Sequence, residues 1–74
     1  MKKYALIDLY TLCYYVNYYI DPHSKEMYAV RTDSIRDSAC NIYDDKDEAQ
    51  RECTYLNKHV QNAIFKVEEV KNVF

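Results

Sequence analysis

Seventy-four residues with a net charge of −2 allow one domain, spanning 1–74, around one small core. A core of that size supplies only about 3–5 kcal/mol unless something else braces it. Acidic and basic residues are mixed along the chain, which excludes the basic footprint of a duplex-DNA binder. Glycine is absent, which excludes phosphate-cradling loops and glycine hinges.

Met1-Lys2-Lys3 opens like the basic end of a secretory leader, and an apolar run follows from Tyr4 to Ile20. That run carries Asp8, Thr11 and Asn17 and falls short of the ~20 residues of a spanning helix. The chain is therefore expected to be soluble, with no membrane partner, and its odd number of cysteines makes a reducing cytoplasm the expected compartment. Leu6, Leu9, Cys13, Val16 and Ile20 recur at 3-4-3-4 spacing, as a helix would require. Tyr14, Tyr15, Tyr18 and Tyr19 with Val16 and Ile20 favour a strand instead. The stretch Asp21-Pro22-His23-Ser24-Lys25 decides between them, because Asp and Pro suit the first two positions of a type I turn. The expected elements are a strand over 3–10 and a hairpin of 13–20 with 26–32. Residues 33–41 show no period and read equally as a helical turn or an irregular connection.

The least ambiguous element is the helix over 45–59. Asp45 and Glu48 have capping-box spacing, and acidic residues fill the first turn, at the positive end of the helix dipole. Ala49, Cys53, Leu56 and Val60 form one apolar stripe, opposite Lys46, Gln50, Arg51, Thr54 and Asn57. Residues 63–70 then alternate apolar and charged, as a half-buried strand does.

The order β-β-β-α-β defines an α+β domain: an antiparallel sheet of three or four strands with one amphipathic helix on one face. Nothing obvious remains to cover the second face. Side chains alternate across a strand, and the aliphatic-richer sets are expected to face the helix. These are Ala5, Ile7, Leu9, Tyr14, Val16, Tyr18, Ile20, Tyr28, Val30, Phe65 and Val67. The opposite layer then holds Tyr4, Leu6, Asp8, Tyr10, Tyr15, Asn17, Tyr19, Met27 and Arg31. From it Tyr4, Tyr10, Tyr15, Tyr19, Met27 and Arg31 are the candidate partner-binding residues, since exposed apolar surface marks contact sites. A one-residue slip would exchange the faces. The binding surface would then lie on the helix around Lys46, Gln50, Arg51 and Thr54. A homodimer that completes the core is the structural alternative.

Catalytic motifs are missing. Three cysteines, Cys13, Cys40 and Cys53, without a C-x-x-C pair argue against disulfides and, with His23 and His59, against a metal site. Two buried thiols and one surface thiol are expected. His59 near Glu52 and Tyr55 reads as solvated, and Cys53 as core. Asp44, Asp45, Asp47 and Glu48 lack the ligand alternation of a cation loop and read as a helix cap. No enzyme and no cofactor are expected. Two binding functions remain: a protein partner, or single-stranded nucleic acid stacked on tyrosines beside Lys25, Arg31 and Arg36.

The segment Ile42-Tyr43-Asp44-Asp45-Lys46-Asp47-Glu48-Ala49 through Leu56-Asn57, followed by Phe65-Lys66-Val67-Glu68-Glu69-Val70, resembles a pattern in small bacteriophage-encoded proteins. There a strand leads into D-x-x-E-A, a short helix ends at L-N, and a strand like Y-x-V-x-E-V follows. The resemblance covers about the last 30 residues. It implies a phage accessory protein acting on a host protein in the bacterial cytoplasm, in a class that includes anti-CRISPR and other anti-defence inhibitors. It assigns no functional residue.

Overall fold

The computed structural model describes residues 2–71. In chain order it contains β1 (Lys3–Asp8), β2 (Tyr14–Ile20), β3 (Met27–Thr32), α1 (Lys46–His59) and β4 (Phe65–Val70). This is a small α+β fold in which all strand pairings are antiparallel and the sheet order is β3-β2-β1-β4. Among the described residues, no helix is long and apolar enough to cross a membrane.

Helix α1 starts where the chain can cap it. Asp45 is extended, and its carboxylate accepts a hydrogen bond from the Asp47 N–H at 2.9 Å. The helix ends at Val60, whose N–H returns to the Leu56 carbonyl at 2.8 Å. The buried stripe is Ala49, Cys53 and Leu56. The loop over 33–42 is irregular and is built from turns. Its Asp37 carboxylate accepts bonds from the Ala39 N–H at 2.9 Å and the Thr32 hydroxyl at 2.8 Å.

The sheet is strongly curled, for a reason of chain length. Strands β1 and β2 share one register pair, Ile7 with Tyr14, and then diverge. Residues 41–43 fill the gap: Tyr4 and Tyr43 exchange both backbone bonds at 2.8 Å, and Asn41 donates to the Tyr15 carbonyl at 3.0 Å. After the helix, Asn62 bonds the N–H and the C=O of Ala29, on the outer edge of β3, at 2.8 and 3.0 Å. Yet β4 begins at Phe65, beyond β1. Three residues reach at most ~10 Å, whereas four strand spacings of a flat sheet are ~19 Å. The curl brings the two edges together.

Inside the curl lies the core: Leu6, Tyr15, Met27, Ala29, Phe65, Ala49, Cys53, Leu56, Tyr43, Val60 and Ala63, with Tyr4 and Val67 packed against it. The expected faces of β1 and β3 are therefore reversed, because Tyr4, Leu6 and Met27 point toward the helix. In β2 simple alternation fails. A bulge between Tyr15 and Asn17 shifts the register. Tyr15 faces inward before the bulge. After it, Tyr18 and Ile20 lie on the inward side, opposite Ala29 and Met27. The β4 assignment, Phe65 and Val67 inward, holds as expected, and so does the side given to Tyr18 and Ile20 beyond the bulge.

The second face is not bare either. Ala5 and Cys40 are buried but stand outside the helix-side cluster. Burial raises the Tyr14 phenol, with Glu68 and Cys40 close enough to add to the effect. Cys40, from the 33–42 loop, thus sits beside Tyr14 and Glu68 on the outer side of the sheet, a face the sequence reading left open.

Two tyrosines give a paired test of this core. Burial, then Glu52 and Tyr18, push the Tyr15 phenol up to about 12, and its ring meets Phe65 edge-on at 5.4 Å. Tyr15→Ala should cost about 3–5 kcal/mol, enough to unfold the domain in thermal circular dichroism. The buried Tyr43 hydroxyl has no hydrogen-bond partner among the described residues. Tyr43→Phe should therefore leave the stability unchanged or raise it, by up to about 1–3 kcal/mol of relieved desolvation, read as an unchanged or higher melting temperature.

Candidate functional site

The chemistry-bearing groups separate into one buried polar centre and two exposed apolar patches. The polar centre is Asp8, at the end of β1 and 0% exposed. One carboxylate oxygen accepts from the backbone N–H of Tyr10 and of Ile64, each at 3.2 Å. The other accepts from the Thr11 hydroxyl at 2.7 Å and the Arg31 guanidinium at 2.6 Å. Arg31 also donates to the Asn62 carbonyl at 3.1 Å. Burial alone would raise the Asp8 pKa. The bonds from Thr11, Arg31, Tyr10 and Ile64 outweigh it, and the carboxyl is held below its ordinary value.

The first patch sits directly on that centre. Leu9, Tyr10 and Leu12, on the β1–β2 turn, are 52, 71 and 66% exposed, and exposed Ile64 adjoins them through the Leu9 N–H to Ile64 C=O bond of 2.8 Å. Leu12 has φ of 60°, in the left-handed region. For a residue with a Cβ this costs roughly 1–2 kcal/mol. The second patch is at the far end of the β2–β3 hairpin. Tyr19 and Tyr28 stack there with ring centroids 5.6 Å apart, on the face away from the helix, with exposed Val30 on the same face and exposed Ile20 on the opposite one. The Tyr28 hydroxyl donates to Glu26 at 2.8 Å, a bond that raises its pKa.

The six candidate residues named from the sequence are not brought together. Tyr10 and Tyr19 are exposed, one in each patch. Tyr15 and Met27 are core, Tyr4 packs against the core, and Arg31 turns in to Asp8. Sequence reasoning missed Leu9, Leu12 and Ile64. One signal was available: Leu9 to Cys13 is an uncharged run between strands with neither Gly nor Pro to make it a conventional turn. It also placed Tyr28 and Val30 on the helix side, whereas Tyr28 stacks on Tyr19 on the outer face and Val30 is exposed.

The other candidates are structural. The Cys53 thiol donates to the Phe65 carbonyl at 3.2 Å, and burial raises its pKa, as it does that of Cys40. Such thiols are poor nucleophiles. His59 meets Tyr55 in a tilted ring contact, centroids 4.5 Å apart. Along the outward row of α1, Asp47, Gln50, Arg51 and Thr54 line a shallow depression of about 450 Å³. Comparison with protein-family models, with curated proteins and with solved structures gave no match.

The Asp8 centre makes acid stability a direct readout. Its carboxyl titrates below the ordinary 3.8 when folded, so its stabilisation is present above about pH 4 and is lost as the pH falls through the folded value. Asp8→Asn should destabilise by about 2 kcal/mol or more at pH 7. In urea unfolding the difference from wild type should shrink toward pH 2.

Proposed function

We propose that this chain is a non-enzymatic binding protein whose partner is another protein, held through the exposed tyrosine-bearing end of the β2–β3 hairpin. The observation that carries this reading is the stacked pair Tyr19–Tyr28 on the outer face, with Tyr19 exposed, Tyr28 half-buried and exposed Val30 on the same side. Tyrosine offers a large contact area with few torsions to freeze and a hydroxyl that tolerates water, so such pairs serve as anchors in protein interfaces. The phage-like pattern of the C-terminal half supports a host protein as the partner and inhibition or modulation as the outcome. A cytoplasmic setting fits the free thiols Cys13, Cys40 and Cys53.

Stacked tyrosines on a sheet also suit single-stranded nucleic acid. Their surroundings argue against it. Glu26 is bonded to Tyr28, and Asp21 is near enough to raise the same phenol. Arg31, the basic residue of β3, is engaged by Asp8. A phosphate backbone tracking this platform would meet carboxylates.

Tyr19→Ala together with Tyr28→Ala should leave the circular dichroism spectrum and melting temperature near wild type, since both rings lie outside the core cluster. The double variant should weaken the partner by more than ~2 kcal/mol, the level of an aromatic hot spot. Wild-type binding should persist after nuclease treatment and change little between 50 and 200 mM salt, where about six phosphate contacts would cost roughly a thousandfold. A steep salt slope, or undiminished binding by the double variant, would sink the reading.

A further inference from the structure

We infer that the β1–β2 turn, Leu9 to Cys13, is a second protein-binding element: a preorganised apolar knob that inserts into an uncharged concave cleft of a partner protein. The inference rests on the protein-binding reading above but concerns a different surface. Residues 14–20 of β2 separate the two patches, about 20 Å of strand.

Three independent features converge on this turn. The first is exposure: Leu9, Tyr10 and Leu12 present large apolar side chains to solvent in one short loop, extended by Ile64. A turn needed only for connection would place polar residues there. The second is conformation. Leu12 occupies a left-handed position that Gly or Asn would hold without strain, so the leucine side chain is kept at the expense of backbone comfort. Lys25, the other left-handed residue, puts an ordinary solvated side chain in its turn.

The third feature is rigidity. The Tyr10 N–H and the Thr11 hydroxyl are held by the Asp8 carboxylate. The Leu12 N–H is held by the Asp8 carbonyl at 2.7 Å, and the Cys13 carbonyl accepts from the Asp8 N–H at 2.8 Å. The Cys13 N–H donates to the Thr11 hydroxyl oxygen at 3.3 Å. The Tyr10 and Thr11 links run to a carboxylate that Arg31 and the Ile64 N–H fix in turn, and the backbone links run to the same residue, Asp8. Ordering entropy that a flexible loop would lose on binding is lost here on folding instead.

The chemistry of the knob selects its partner. It carries no charge from residue 9 to 13. Three large apolar side chains that stand 52–71% exposed on one short turn find their complement in an apolar cleft that closes around them. Arg31 is already paired with Asp8, and Lys66, which lines a depression together with Leu9, shares it with Glu68 and Glu69, so no net basic collar meets anionic headgroups. A protein pocket is favoured over a lipid surface.

Leu12→Gly separates a binding role from a structural one. Glycine is at ease at φ of 60°, so folding stability should hold or rise while binding falls. In an expressing bacterial cell, benzoylphenylalanine placed at Tyr10 should photo-crosslink a discrete protein, and the same probe at His23 should not. That protein, purified, should bind wild type and lose at least tenfold in affinity to Leu12→Gly and to Tyr10→Ala, both with melting temperatures at or above the wild-type value. Equal affinity of both variants would overturn the inference, as would crosslinking at His23 alone or at neither position. So would binding to phosphatidylglycerol–phosphatidylethanolamine vesicles that Leu12→Gly abolishes, which would make the turn a membrane contact. If the captured protein is lost to the Tyr19, Tyr28 double variant but not to the turn variants, the knob fails and the hairpin reading stands. If it is lost to the turn variants alone, the reverse holds.

Discussion

A single buried carboxylate holds this fold in register with itself. Asp8 joins the end of β1, the turn that follows, the outer strand β3 through Arg31, and the segment that returns from the helix through Ile64. Leaving a carboxylate out of water without partners costs several kcal/mol, comparable to the whole stability expected of so small a domain. The curled sheet is therefore closed by necessity. Any opening that separated β3 from β1 would strand the charge, so the geometry that satisfies Asp8 also fixes the position of the 62–64 crossing.

The absence of glycine shapes what the turns can do. Both hairpin connections contain a left-handed residue, Leu12 in one and Lys25 in the other. Local carboxylates offset the strain. Asp21 accepts from the N–H groups of His23 and Ser24, as Asp8 does from Tyr10. Asparagine side chains treat the sheet edges in a related way. Asn62 bonds the N–H and C=O of Ala29 on the edge of β3, and Asn57 those of Phe65 on the edge of β4. Each amide replaces one residue of a missing strand. Edge peptides that could template aggregation are thereby closed locally, and Lys66, Glu68 and Glu69 place charges along the rest of β4.

How much of this was legible in the sequence depends on how local each signal was. The helix was readable because Asp45, the acidic first turn and the stripe Ala49, Cys53, Leu56 all act within a few residues of one another. The hairpin was readable for the same reason, from Asp21 and Pro22. The sheet faces were not. Apolar and aromatic residues occupy both sides of β1 and β2, so composition could not choose between them, and the bulge after Tyr15 changes parity within one strand. Asp8 misled most directly, since a carboxylate in a strand reads as outward-facing. The residue that makes its burial tolerable, Arg31, lies 23 positions away.

That misreading bears on where binding residues can be found in a chain this small. The inward set was assigned by hydrophobicity and the outward set by what remained. Leu9 and Val30 were therefore spent on the core in expectation, while both are exposed in the fold. A standard protein interface covers about 800 Å² of each partner, roughly a sixth of the 5090 Å² this molecule exposes. Neither patch alone supplies that area from four or five side chains. One partner could draw on both only by lying along the length of β2, which would also cover Asn17 and Tyr18 between them. Two separate partners would each be held by a small anchor, and each would depend on rigidity more than on area. The Asp8 lattice gives the β1–β2 turn that rigidity, whereas the hairpin end rests on Tyr19–Tyr28 stacking and the Asp21 turn. On the proposed reading, the first surface would suit insertion and the second a broader, more adaptable contact.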